Sequence, residues 1–286
     1  MTAPSTPQGA WFQAPTCRSL GLELELALRN TARRLGSGER VVADAAMRVE
    51  LRAYRRGELV YENPEAGTVA PSGSLLLRER DFLKDAGLLS DPEEEITFVA
   101  GLHRGTSAFF SQEHHLSYVH RASGVQAHLL YDLQPLKAAG AAAAPVVLMM
   151  PKIWIGAHVN TYLLASNAAL SPSSKQQSAP VQFSVLDGEG RTVCEWQHTF
   201  FYNHAMAFDL RRRIAQHRAI AEAPQFFNLV GRGGSSTFVF FAVIRNTKSN
   251  HFAIEHSLPP LYYMDGAMAA VRAQGCDASL FRHEAR

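Results

Sequence analysis

Short runs of alternating apolar and polar residues, interrupted by glycine turns, constrain this chain more than any other feature. Leu22–Arg29 reads LELELALR, with an apolar side chain at every second position. Such a period of two places one face of a strand in a core and the other in water. Arg48–Glu62 (RVELRAYRRGELVYE) alternates, turns at Gly57 and resumes with Val60 and Glu62. Pro180–Glu195 (PVQFSVLDGEGRTVCE) does the same around Gly190, ending in Val193 and Glu195. Each is the pattern of a β-hairpin.

The similarity of these two segments predicts an internal repeat. A second pair supports it. Thr97–Tyr118 lies against Val239–Pro260 without gaps, with Ala100/Ala242, Ser107/Ser249, Phe110/Phe252, Glu113/Glu255, His114/His256 and Leu116/Leu258 identical. LALRN, ending at Asn30, and YLLASN, ending at Asn167, echo each other more loosely. Between the halves, Lys137–Pro145 (KAAGAAAAP) reads as a linker. The expected fold is all-β, mainly strand with a few short helices: two similar antiparallel β-sandwich domains, immunoglobulin-like or jelly-roll-like, in tandem. The expected boundaries are a loose arm over 1–18, which Trp11 and Phe12 pin to a surface, a first sandwich over 19–136, a linker over 137–145, a second sandwich over 146–265, and a C-terminal helix and tail over 266–286. Short helices are expected at Glu79–Leu89, at Asp209–Ile220 with Asp209 as N-cap, and at Gly266–Cys276.

Composition narrows the function. Lys and Arg number 28 against 26 Asp and Glu, a net charge of +2, too small an excess to point to nucleic acid as the main partner. No apolar run approaches the roughly 18–20 residues that cross a bilayer, and the first residues do not read as a signal peptide. Three cysteines without CxxC spacing argue against a disulfide framework and favour a reducing, cytoplasmic setting.

The chemistry-bearing residues cluster late in the first half. Strand alternation places His114 with Leu116 and Tyr118, and His256 with Phe252 and Ile254, on core-facing sides, where a neutral hydrogen-bonded histidine is the expected state. The opposite face of the first strand carries Glu113, His115 and Ser117. Glu113 and His115 lie about 6.6–7 Å apart along one side, the spacing of two ligands that, with His103, would form an open Zn or Fe site. His120 and His128 are further candidates. Gly231–Ser236 (GRGGSS) precedes a strand rather than a helix and reads as a flexible hairpin turn, not a phosphate loop. Cys194, Trp196 and His198 share one strand face; a buried structural thiol is expected there. The basic stretches Arg33-Arg34, Arg55-Arg56 and Arg211–Arg213 read as solvated surface, with an anion-binding patch as the alternative. Tyr262 and Tyr263 follow two prolines, and Tyr131 occupies a comparable place in the first half. Exposed tyrosines beside rigid prolines form recognition surfaces, and they equally suit a domain junction.

Three functions follow. The first is a non-catalytic binding or assembly protein without a cofactor, whose partner is another protein, a second copy of itself, or a small-molecule or carbohydrate ligand. The second is a metal-dependent enzyme built around Glu113 and His115. The third is a small-ligand sensor with a pocket between the halves.

Overall fold

The computed structural model describes residues 9–34, 40–42, 45–85, 87, 94–104, 110–111, 113–132, 146–168, 178–233 and 238–256. The strands are β1 (Gly9–Pro15), β2 (Leu22–Arg29), β3 (Thr31–Arg34), β4 (Arg40–Val42), β5 (Met47–Arg55), β6 (Glu58–Val69), β7 (Ser74–Arg78), β8 (Ile96–Arg104), β9 (Phe110–Ser111), β10 (Glu113–His120) and β11 (Gln126–Asp132) in the first half. The second half holds β12 (Val146–Ile155), β13 (Val159–Asn167), β14 (Ser178–Leu186), β15 (Thr192–Phe201), β16 (His204–Asp209), β17 (Gln225–Gly233), β18 (Phe238–Asn246) and β19 (Phe252–His256). Two short helices, α1 (Glu79–Asp85) and α2 (Leu210–Ala215), follow β7 and β16. The chain is all-β, and every strand pair in its sheets is antiparallel.

Four four-stranded sheets carry the architecture. In the first half, β1-β8-β5-β6 faces β11-β10-β2-β7; in the second, β12-β17-β14-β15 faces β16-β13-β18-β19. The two pairs have one strand order. Writing β12 for β1, β13 for β2, β14 for β5, β15 for β6, β16 for β7, β17 for β8, β18 for β10 and β19 for β11 converts the first pair into the second. The segments around Gly57 and Gly190 become the hairpins β5–β6 and β14–β15. Asn30 and Asn167, which close the looser echo, are both fully buried at the ends of β2 and β13. The alignment of Thr97–Tyr118 with Val239–Pro260 is corrected. It sets β8 and β10 against β18 and β19, whereas the strand order sets them against β17 and β18. Strands buried on both sides lose the alternation that would fix their register, so a one-strand slip costs little similarity.

Burial of both faces is pronounced in β18. Phe238, Phe240 and Ala242 pack into the core of the second sandwich with Phe183, Phe200 and Leu229. Val239, Phe241 and Val243 face the other way, into the core of the first sandwich with Phe12, Leu26, Leu116 and Leu129. Leu163 and Leu164 on β13 divide the same way. The sheet containing β18 therefore closes both cores, which explains the unbroken apolar run Phe238–Ile244. Gly231, on β17, faces Phe240; a Cβ there would sit 2.5 Å from its ring, so only glycine lets the two sheets approach this closely.

The structure corrects several expectations. Residues 9–18 are not a loose arm. Gly9–Pro15 pairs along β8, Phe12 and Ala14 are buried, and the Tyr118 hydroxyl donates to the Pro15 carbonyl at 2.7 Å. The Glu95 carboxylate accepts from the Thr16 hydroxyl at 2.9 Å and the Arg18 amide at 2.8 Å, and Arg18 lies 3.3 Å from the buried Glu79. The prolines hid a short alternation: Phe12 and Ala14 enter the first core, while Trp11 and Gln13 face the second half, where Gln13 accepts from the Ser166 hydroxyl at 2.6 Å. Gly231 and Gly233 belong to β17, and β17 and β18 lie in different sheets, so GRGGSS does not close a hairpin. β9 and β10, close in the chain, belong to different sheets. The two α-helices are shorter than expected, and Asp209 caps α2 as anticipated, accepting from the Arg212 amide at 2.9 Å. The expected linker and C-terminal helix lie outside the described residues.

Candidate binding site

Two of the metal candidates, His103 and His115, do not converge. On β10, Leu116 and Tyr118 enter the first core, so His115 and Ser117 project from the outside of that sheet. On β8, Ala100 and Leu102 enter the same core, so His103 projects from the outside of the facing sheet. The thickness of the sandwich separates His103 from His115. Glu113 sits on β10 opposite Asp132; its side chain lies outside the description. His128 and His120 are held by serines: Ser117 Oγ lies 2.8 Å from His128 Nδ1, and Ser123 Oγ lies 2.8 Å from His120 Nδ1. Among the described residues, no three His, Cys, Asp or Glu side chains group as metal ligands. Tyr262 and Tyr263 lie outside the described residues. Of Tyr131, only its place on β11, opposite His114, is described.

His103 instead joins a polar network on the outer face of the first sheet. Its Nε2 is 3.1 Å from Glu50, which also holds Arg52 at 2.8 Å; Arg52 reaches Glu62 at 2.9 Å. The Arg52 guanidinium lies 4.9 Å from the centre of the Trp11 ring, and His103 meets that ring edge-on at 5.5 Å. The indole lies flat over Gly101, where a Cβ would come within 2.8 Å of it. Tyr54, Val99 and Ala168 pack beside Trp11, so this network clamps the junction of the two halves.

The cysteine–histidine face of β15 is also structural. Cys194 is buried in the second core, and Arg213 lies 4.5 Å over the Trp196 ring and 5.1 Å over Phe208. Burial pushes the Cys194 thiol up, more than the Arg213 charge pulls it down, so the group stays a thiol rather than a nucleophilic thiolate.

A different constellation forms on the outside of the second half. Ile153 and Ile155 of β12 point into the core, so Trp154 points out, and it is 40 % exposed. Thr161 fixes the strand there: its Oγ1 accepts from the Trp154 amide and donates to the Trp154 carbonyl, both at 2.9 Å. On β17, Phe227 and Leu229 point inward and Phe226 outward, 38 % exposed. The register places Trp154 opposite Phe226, and their rings meet at 5.4 Å and 66°. Beside Phe226 opens a groove of about 350 Å³, lined by Asp187, Gly188, Glu189, Arg191, Arg218, Gln225, Phe226 and Phe227.

The groove's polar groups are held in place. The Asp187 carboxylate accepts from the Glu189 and Arg191 amides and from Arg191 Nε, each at 3.0 Å. Against desolvation, the hydrogen bonds from Arg191 hold that carboxyl below its usual range. Arg191 also lies 2.7 Å from Glu189. Arg218 donates to Gln225 Oε1 at 3.3 Å and lies 5.6 Å over the Phe227 ring. Two arginines face two carboxylates, so the groove offers many donors and acceptors with little net charge, next to an apolar aromatic ledge.

None of these residues stood out in the sequence, because β12 and β17 bring together positions far apart in the chain. The available signal was a broken alternation. IWI at 153–155 and FF at 226–227 place apolar residues where an outward-facing strand position calls for polar ones.

No protein-family model matches the chain, and no curated protein matches it. Solved structures that resemble it include a β-glucuronidase from Bacteroides uniformis (9 % identity, 88 % of this chain and 26 % of that chain, TM-score 0.21). Others are a glycosyl hydrolase family 2 member from Bacteroides cellulosilyticus (9 %, 87 % and 26 %, 0.17) and a β-glucuronidase from Bifidobacterium dentium (12 %, 87 % and 40 %, 0.15). This chain spans well under half the length of each. Overlaps this loose identify no family, and the chemistry of the groove rests on its own residues.

Proposed function

We propose that this chain is a non-catalytic binding protein, built from two copies of one sandwich module, that takes a carbohydrate on the outer face of its second half. The exposed Trp154–Phe226 pair beside the groove carries this reading. A sugar ring has an apolar C–H face that covers an aromatic ring and a rim of hydroxyls that need both donors and acceptors. Arg218, Gln225, Arg191 and Asp187 supply those groups within one groove, and their mutual pairing fixes them before the ligand arrives. The near balance of charge favours a neutral ligand.

Strand-to-strand assembly has less support. The edge strand β6 carries Pro64 with Glu58, Glu62 and Glu65, and the edge strand β12 carries Pro151. Proline and acidic residues on an edge oppose addition of a further strand.

The test is a glycan microarray probed with the full chain, beside Trp154→Ala and Phe226→Ala. The wild type is expected to retain a defined set of glycans, and each variant to bind about tenfold or more weakly with an unchanged melting temperature. Wild-type binding that survives both substitutions, or no glycan retained at all, would overturn the proposal.

A further inference from the structure

Trp154 and Phe226 are neighbours across β12 and β17, and each is more than a third exposed. Their ring planes are inclined by 66°, with centres 5.4 Å apart. A sugar stacks by laying one flat face on one aromatic plane. Two planes this steeply inclined cannot both lie against the same flat face. Each ring therefore receives its own sugar unit, and the second unit must be turned relative to the first. The polar groove continues the same line. β17 pairs with β12 on one side and with β14 on the other. Leu186, the last residue of β14, lies opposite Asn228, so the turn that follows it, Asp187–Arg191, comes level with Phe226. Neighbouring strands lie about 4.8 Å apart, so Trp154 on β12 and the turn joining β14 to β15 are separated by about 10–14 Å. That span exceeds one sugar ring. Its far end holds Asp187, Arg191, Arg218 and Gln225, paired with one another by hydrogen bonds, where a further unit meets donors and acceptors in place of an aromatic plane.

Resting on the carbohydrate reading of this face, we infer that the ligand is a neutral chain of at least three sugar units, coiled rather than ribbon-like. In a flat ribbon such as β-1,4-glucan, successive rings are flipped by half a turn and stay nearly coplanar. A ribbon lying on Trp154 would therefore meet Phe226 at an angle and stack on only one of the two. In a coiled chain such as α-1,4-glucan or β-1,3-glucan, each ring is inclined to the one before it, as Trp154 and Phe226 are. The ledge selects curvature, and the groove reads hydroxyls. The pairing of Arg191 with Asp187 and Glu189 leaves little excess charge to hold an acidic chain.

The experiment is titration calorimetry of the full chain with α-1,4-glucan, β-1,3-glucan and β-1,4-glucan oligosaccharides of one to six units. A coiled series is expected to bind, with affinity rising about tenfold or more between one unit and three, and the β-1,4 series to bind about tenfold or more weakly at equal length. Arg218→Ala and Gln225→Ala are expected to leave the two-unit affinity unchanged and to erase the gain from the third unit. Trp154→Ala is expected to weaken binding at every length. Melting temperatures report that each variant is folded. Equal affinity for one unit and three overturns the inference, as does β-1,4-glucan binding as tightly as the coiled series. So does loss of affinity at every length in both groove variants, or no binding of any series. The carbohydrate reading fails separately. A single unit bound as tightly as a longer chain, and lost in Trp154→Ala, leaves that reading intact, whereas a glycan array on which nothing is retained removes it.

Discussion

Phe241→Ala probes how the two halves depend on each other. Phe241 has no exposed surface and sits on the side of β18 that faces the first core, between Phe240 and Ala242, which face the second. Replacing a fully buried phenylalanine with alanine costs about 3–5 kcal/mol, the lost transfer energy plus the cavity left behind. Domains are stable by only about 5–15 kcal/mol, so the change removes a large share of the total. Because the ring belongs to the first core while its backbone belongs to the second half, the loss falls on both. Urea unfolding followed by tryptophan fluorescence separates them, since Trp11 lies in the first half and Trp154 and Trp196 in the second. Single-tryptophan versions are expected to show one coincident transition, shifted to lower urea by the same free energy at either probe. Two separable transitions, with Trp11 unmoved by Phe241→Ala, would refute the shared core.

Other perturbations reach different parts of the fold. Burial, only partly offset by the Leu24 amide and Arg18, raises the Glu79 carboxyl from 4.5 to about 7. Its contribution is therefore full below about pH 4.5 and lost as pH rises through about 7. Burial, then His198 and Arg56, lowers His204 from 6.5 to about 4, so its contribution is full above about pH 6.5 and lost as pH falls through about 4. The two slopes oppose each other across pH 4.5–6.5. Relative to the wild type in denaturant titrations, Glu79→Gln should make stability rise more with pH in that window, and His204→Asn should make it fall more; matching pH profiles would count against both assignments. Gly231→Ala should cost about 1–3 kcal/mol through collision with the Phe240 ring, and an unchanged urea midpoint would show that the sheets can part. Cys17 and Cys194 are buried free thiols, both raised by burial, and should resist alkylation until the protein unfolds, as peptide mass spectrometry would report. Labelling of either in the native chain would contradict that packing.

Where one face of an element is wet, its sequence was readable. LELELALR alternates because the inner face of β2 is buried and the outer is not, and Asp209 announced α2 because a helix start needs an acceptor. The hairpins at Gly57 and Gly190 followed from turns with positive φ, 88° and 80°. Two-sided burial erased the same signal in β18, so residue similarity sets Thr97–Tyr118 one strand out of step with the strand order. Prolines at 4, 7 and 15 outweighed the short alternation of β1. The Trp154–Phe226 ledge was hidden for a different reason. Trp154 and Phe226 meet only through strand pairing, and a single sequence does not reveal which strands pair. Spacing along a strand is local and pairs Glu113 with His115, while their convergence with His103 depends on which sheet each strand joins.

The most direct measurement uses three versions of the full chain that each keep one tryptophan, Trp11, Trp154 or Trp196, titrated with a glycan that the wild type retains. The expected result is a blue shift and protection from acrylamide quenching confined to the version that keeps Trp154. A response at Trp11 with none at Trp154 would place the ligand at the junction of the halves and contradict binding on the outer face of the second sandwich.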